Sequence, residues 1–332
     1  MILVTGGTGL VGSHLLVEFA SRGQRVKALR RSGSDTSVVP KLFSHYDVNL
    51  QNLKLIEWVE GDVEDYSSLK DLLCEVKTVY HCAAIVSFRG SDFQKMLSVN
   101  VQGTANLIDA CIEVGVKQFC FASSVAALGS PVGNGMVDET SLWGKSKGKS
   151  GYAISKFFSE MEVRRGVELG LKATIVNPTV IIGPGRWNSG SGQIFGTINR
   201  GFPFYTDGVT GYVDVRDVVN CMITSVEKEA WGERFVVNGQ NISHREVFSQ
   251  IAKKMGKKSP FIHVKPWMSS IAWRVASVFA FITQGKPSLT GETARSGHSK
   301  TYYSAMLAES NLGIKFRSVL EAIENTVSAG RL

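Results

Sequence analysis

Cysteine chemistry has little purchase on this chain. Cys74, Cys82, Cys111, Cys120 and Cys221 are odd in number, widely spaced and form no CxxC pair. Neither a disulfide framework nor a zinc site follows from them. The six histidines are scattered without HExxH spacing, so no metal is expected. Long apolar runs are missing too. The longest, Trp267 to Thr283, carries Arg274 near its middle and falls short of the roughly 20 residues of a bilayer-spanning helix. No repeat or low-complexity tract is present. The net charge is +8, but the basic residues form no long run and no aromatic-interleaved array. That argues against a nucleic-acid partner and for a solvated surface with a small anionic ligand. Met1–Val4 reads as a buried strand running into glycines, not as a secretory signal. A reducing compartment, the cytoplasm, is the expected location.

What is present is an ordinary folded composition. Hydrophobic residues make up 43% and charged residues 20% of 332 positions, enough to bury a core without staples. The first half alternates strand-like runs (Ile2–Thr5, Arg25–Leu29, Leu53–Val59, Val79–Cys82, Gln118–Ala122, Lys172–Val176) with helical patterns (Leu10–Arg22, Tyr66–Leu73, Asp92–Val114, Tyr152–Leu169). Alternating βαβ units predict an α/β fold, a Rossmann-type doubly wound parallel sheet covered on both faces. Asn177-Pro178 is expected to stop the sixth strand. Beyond it the texture changes to glycine-rich loops and short strands. Residues 1–177 thus read as the dinucleotide-binding domain and 178–332 as mainly a smaller, mixed substrate-binding lobe, interleaved with the main sheet.

Gly6, Gly9 and Gly12 keep GxxGxxG spacing directly after the first strand and opening a helix. Such a loop tightens, lets a pyrophosphate reach main-chain N–H groups, and offers a helix N-terminus to the phosphates. Thr8, Leu10 and Val11 complete it. The second strand leads into Arg30-Arg31-Ser32, with no acid before Asp35. An acid there would select a free ribose 2′-hydroxyl, whereas guanidinium groups suit a 2′-phosphate. NADP is therefore expected over NAD.

Tyr152 and Lys156 form YxxxK, which on a helix places both side chains on one face. An ammonium beside a phenol is expected to lower the phenol pKa from about 10 and fit it for proton exchange with a carbonyl or alcohol. Ser123-Ser124 follow the fifth strand at the carboxyl end of the sheet, where ligands bind in this architecture.

Taken with His81-Cys82-Ala83-Ala84 and Asn100-Val101-Gln102-Gly103-Thr104, these motifs resemble the extended short-chain dehydrogenase/reductases, a superfamily that includes NAD-dependent epimerases and dehydratases. The resemblance spans essentially the whole chain. Arg30-Arg31, the run Tyr212–Val218 and the run Gly285–Thr290 are similar to the branch of dihydroflavonol 4-reductases, cinnamoyl-CoA reductases and 3β-hydroxysteroid dehydrogenases. A bacterial group described as hopanoid-associated sugar epimerases is also similar. The resemblance implies that Ser124 hydrogen-bonds the substrate oxygen, that Tyr152 is the acid/base, and that Lys156 tunes it and holds the nicotinamide ribose. Ser123 competes for the serine role and, with Tyr152, is expected beside the cofactor. The resemblance also implies Gly6, Gly9 and Gly12 at the pyrophosphate, Asp62-Val63 at the adenine, Ala83-Ala84 beside the cofactor, and Pro178 near the nicotinamide. Asn100 reads as structural.

The favoured reaction is NADP-dependent hydride transfer with a carbonyl or alcohol of an apolar small molecule. Val86, Phe88, Met136 and Tyr205 are the expected substrate contacts, with Trp143, Phe195 and Phe204 as further apolar lining. Two alternatives stay open: a nucleotide-sugar epimerase or dehydratase, with Arg186, Arg216 and Arg234 as cations for the substrate pyrophosphate, and a non-catalytic NADP-binding sensor. The expected partner is a small-molecule substrate. A homodimer is compatible with the sequence.

Overall fold

A computed structural model describes residues 1–131, 135–282 and 290–332, with side chains described outside 275–289. The run Gly285–Leu289 lies outside the described residues. Seven strands form the main sheet: β1 Ile2–Thr5, β2 Val26–Arg30, β3 Ile56–Glu60, β4 Thr78–His81, β5 Gln118–Ala122, β6 Lys172–Pro178 and β7 Arg234–Val237. Their spatial order is β7-β6-β5-β4-β1-β2-β3, and every pairing is parallel. The order reverses between β1 and β4, and that crevice is where doubly wound sheets bind ligands.

Consecutive strand residues serve opposite faces, as a period of two requires. Val4, Tyr80, Cys120 and Val176 join one core with Leu15, Leu16, Phe19, Val218 and Met222. Their neighbours Leu3, Val79, Phe119, Phe121 and Ile175 join the other with Leu69, Leu107, Ile108 and Val163. The first core is roofed by helices Leu10–Ser21 and Val215–Glu227, the second by Tyr66–Leu72, Gly103–Val114 and Gly151–Glu168.

Two sequence expectations need correction. Strand β6 does not stop before Asn177-Pro178; it runs through Pro178, which aligns with Val237. The last β5 residue, Ala122, aligns with Val176. At Pro178 the strand therefore has a neighbour on one side only, and a missing N–H is tolerated at such an edge. The helix expected over Asp92–Val114 is also not uniform. It passes from a 3₁₀ turn through Phe93–Met96 into a π turn, Leu97–Gln102, before Gly103–Val114. The π turn frees the Asn100 carbonyl, which accepts from Thr104 Oγ1 at 2.5 Å and Ser159 Oγ at 2.7 Å. Pi turns of this kind occur often at functional sites.

Residues after 178 return to the main sheet through β7 and build a second sheet, with Val209–Asp214 between Val180–Ile182 and Gln240–Ser243. That lobe has its own core of Ile182, Phe195, Tyr212, Ile242, Ile251 and Ile323.

Candidate active site

The glycine loop closes against the end of β4. Gly6 has φ +67°, and a Cβ there would lie 2.7 Å from the Ala83 nitrogen and the Cys82 carbonyl carbon. A Cβ on Gly12 would come within 2.2 Å of the Gly6 carbonyl oxygen. Gly9 caps helix Leu10–Ser21 without a side-chain bond, and the first turn holds no acid. The helix N-terminus therefore stays open to an anion. Below it, Thr5 Oγ1 accepts from the Cys82 and Ala83 amides at 3.1 Å and meets His81 Nδ1 at 2.7 Å. The other His81 ring nitrogen lies 3.0 Å from Thr104 Oγ1. Burial drives the His81 pKa down to about 3, so the imidazole is neutral and serves as a spacer between β1, β4 and the helix behind them. The loop and its open helix end thus fit a dinucleotide pyrophosphate.

Arg30 ends β2 and pairs with Glu60 at the end of β3 at 2.9 Å. Its Nε is buried without a partner. Arg31 is exposed. Asp62 turns the chain after β3, its carboxylate accepting from the Glu64 amide at 3.1 Å. Val63 is a core residue, packed so closely on Gly103 that a Cβ there would lie 2.6 Å from its methyl. The Val63 carbonyl is also engaged, accepting from Asn106 Nδ2 at 3.1 Å.

Helix Gly151–Glu168 begins at Ser150, whose hydroxyl accepts from the Ala153 amide at 2.9 Å. It carries Tyr152 and Lys156 as i and i+4. Asn100 Nδ2 donates to the Ile85 carbonyl at 2.9 Å and to Ser155 Oγ at 3.0 Å, tying the loop after β4 to this helix. Phe88, on the same loop, meets Tyr152 edge to face at 6.1 Å between ring centroids. Ser124 leads out of β5, sits beside the Tyr152 phenol and accepts from the Ala126 amide at 3.1 Å. Burial raises the phenol pKa and Ser124 only partly opposes it. The expected lowering by Lys156 is thus corrected: burial of the phenol sets the direction, and Lys156 does not act against it. Lys156 is itself buried. Its ammonium donates to the Ala122 carbonyl at 2.8 Å and lies 4.2 Å from the Phe121 ring centre. Burial brings its pKa down to about 8, against the pull of Glu160.

Ser123 turns away from this cluster. Its hydroxyl donates to buried Glu160 at 2.5 Å, so the expectation of a cofactor contact from that side chain is corrected. Glu160 also accepts from Asn177 Nδ2 and, at 3.4 Å, from Arg234, while Asn177 Nδ2 holds the Ser124 carbonyl at 3.0 Å. This buried network was not anticipated. Its signal was the i+4 spacing of Glu160 from Lys156. The other residues expected to line the pocket have the following neighbours. Met136 pairs in a short strand with Tyr302. Tyr205 stacks on His263 at 5.2 Å with Arg245 over its ring. Phe195 belongs to the core of the second lobe, against Trp187. Trp143 stacks on Phe157 at 4.3 Å. Val86 and Phe88 remain exposed beside the site. Among the described residues there is no metal-binding cluster of His, Cys, Asp or Glu, and no helix is long and apolar enough to cross a membrane.

The pattern of the NAD dependent epimerase/dehydratase family matches residues 2–238. The chain belongs to that family. It is an NAD(P)-dependent oxidoreductase of the extended short-chain dehydrogenase/reductase type. A putative dihydroflavonol 4-reductase of Synechocystis is 28% identical, over 98% of this chain and 92% of that protein. Sterol demethylase protein B of Methylococcus capsulatus is 31% identical, over 80% and 77% of the two chains. The crystal structure of gox2253 superposes with a TM-score of 0.82 at 30% identity, covering 100% of this chain and 99% of that one.

Proposed function

We propose that this family member is an NADP-dependent reductase of an apolar carbonyl compound, or catalyses the reverse oxidation. The observation that carries the reading is the Tyr152–Ser124 hydroxyl pair beside buried Lys156, at the carboxyl end of β5 and facing the apolar side chain of Phe88. Gly6, Gly9 and Gly12 would hold the pyrophosphate, Arg30 and Arg31 the 2′-phosphate, and Ala83, Ala84 and Pro178 the nicotinamide side. Residues 1–177 would carry the dinucleotide, and 178–332 would mainly shape the substrate pocket. When bound, the reduced nicotinamide supplies hydride to the carbonyl carbon. Tyr152 gives its proton to the carbonyl oxygen, yielding the alcohol, while Ser124 donates a hydrogen bond to that oxygen. A phenol pKa raised by burial keeps Tyr152 loaded with its proton at neutral pH, which suits donation. Lys156 would place its ammonium near the nicotinamide ribose.

The neighbouring arginines support a carbonyl compound over a sugar nucleotide. Arg186 pairs with Asp35 at 3.0 Å, Arg216 with Asp214 at 2.6 Å and Arg234 with Glu160 at 3.4 Å. Each cation that the sequence offers to a substrate pyrophosphate already has an acid. The test is stereospecific hydride transfer from NADPH across ketones, sterols, acyl-CoA thioesters and nucleotide sugars. Net NADPH oxidation with an apolar carbonyl substrate is expected. Sugar turnover with no net cofactor change would overturn the reading.

A further inference from the structure

Between Glu246 and Glu292 the chain has no acidic residue, yet seven Lys and Arg residues fall there. This stretch supplies much of the net charge of +8. It also carries exposed apolar side chains: Phe261 at 61%, Trp267 at 63% and Ile271 at 55%. The helix Pro266–Ile282 is two-faced over its described side chains. Ser269 and Trp273 point inward. Ser269 Oγ lies 2.8 Å from His298 Nε2, and the Trp273 ring is so near Gly291 that a Cβ there would sit 3.3 Å from it. Trp267, Ile271 and Arg274, spaced i, i+4 and i+7, form the opposite, outward stripe. The lead-in segment is fixed by pairing of Ile262–His263 with Phe204–Tyr205. It presents exposed Lys258, whose ammonium is 5.0 Å from the Phe261 ring centre, and exposed Lys265.

We propose that this face docks on an anionic lipid surface. An indole and an aliphatic side chain on one stripe, flanked by Lys258, Lys265 and Arg274, is the pattern of a helix lying in a bilayer interface; the one acid paired to the lead-in segment among the described residues, Asp207, is met by His263 at 2.7 Å. A second copy meeting the same patch would oppose cation to cation. Nucleic acid would favour stacked aromatics over an aliphatic stripe. The inner face of the helix touches helix Gly291–Ser296, whose Glu292 sits beside Ser150 at the cap of the catalytic helix. The docking face therefore lies one helix away from the site, which suits a substrate drawn from a membrane.

Co-sedimentation with phosphatidylglycerol vesicles and with phosphatidylcholine vesicles tests this. The native protein is expected to pellet with the first, not the second, and to be released by salt. K258E/K265E should lower the bound-to-free ratio at least about tenfold, since each cation at the surface is worth about fivefold. Trp267→Ser should lower it about tenfold through lost insertion. Lys117→Glu, a charge change at the start of β5, should leave it unaltered. All three should melt as the native protein does. Failure to bind phosphatidylglycerol, equal binding to both lipids, or native-like binding by K258E/K265E and Trp267→Ser would overturn the proposal. So would a native dimer, seen by light scattering without vesicles, that Trp267→Ser breaks.

Discussion

Replacing Lys156 with methionine should make the protein more stable while removing its activity. The Lys156 ammonium is buried under the end of β5, and its pKa falls from 10.5 to about 8. That fall corresponds to about 3 kcal/mol of unfavourable burial of the charged form at neutral pH. Methionine fills nearly the same volume without the charge, but leaves the Ala122 carbonyl without its 2.8 Å donor, a loss of about 1–2 kcal/mol. The balance is a gain of about 1–2 kcal/mol, or about 2 °C in melting temperature for a chain of this size. The pH dependence identifies the cause. Between about pH 8 and 10.5 the unfolded chain holds the Lys156 proton and the folded chain has released it, so native stability rises with pH across that window. Above it both states are neutral. The advantage of Lys156→Met should be largest below pH 8 and shrink toward pH 10.5. Calorimetric melting of both proteins from pH 7 to 10.5 measures this. A variant that melts below the native protein at pH 7, or a difference that stays flat across the window, would refute the reasoning.

Other outcomes follow from the same geometry. NADPH should bind at least about tenfold tighter than NADH, roughly 1.4 kcal/mol; Arg30→Ala should collapse that ratio and Glu60→Gln should widen it, because Glu60 competes for the Arg30 guanidinium, and fluorescence titration of both nucleotides reads it. Gly12→Ala should cost at least about 2 kcal/mol in chemical denaturation, since its Cβ would meet the Gly6 carbonyl oxygen at 2.2 Å; an unchanged midpoint would show that the loop can open freely. Ser124→Ala should lower turnover by up to about a hundredfold without altering the fold, whereas Ser123→Ala should chiefly lower stability, by about 1–3 kcal/mol, because it removes a donor from buried Glu160.

The order of the sheet and the position of the site were legible because both depend on local signals. The glycine loop after Thr5, the alternation of strands and helices, and Ser124 at the end of β5 each announce themselves within a few residues. Tyr152 and Lys156 share a helical face at any helix pitch near 3.6. Residues whose roles depend on distant packing were not legible. Ser123 and Ser124 look alike as neighbours until Glu160, held by Asn177 and Arg234, is seen to take the Ser123 hydroxyl. The close packing of Val63 on Gly103, 40 residues away, leaves no local signal either. The phenol pKa was misjudged because helical spacing reports the nearby cation but says nothing of desolvation. Met136 and Tyr205 were chosen for apolar character in loops, and their actual neighbours, Tyr302 and His263, are set by pairings with remote segments. Pro178 was read as a stop because the one-sided pairing that tolerates it involves β7, nearly 60 residues on.

Tyr152→Phe tests the central claim most directly. The substitution removes one oxygen, which sits beside Ser124, and alters no residue of the phosphate loop. Proton donation of this kind contributes about 10²–10⁴-fold to rate. With a carbonyl substrate of the native enzyme, the purified variant should bind NADPH as the native protein does and oxidise it slower by that factor. NADPH oxidation at the native rate in Tyr152→Phe, with the same substrate and product, would contradict the account.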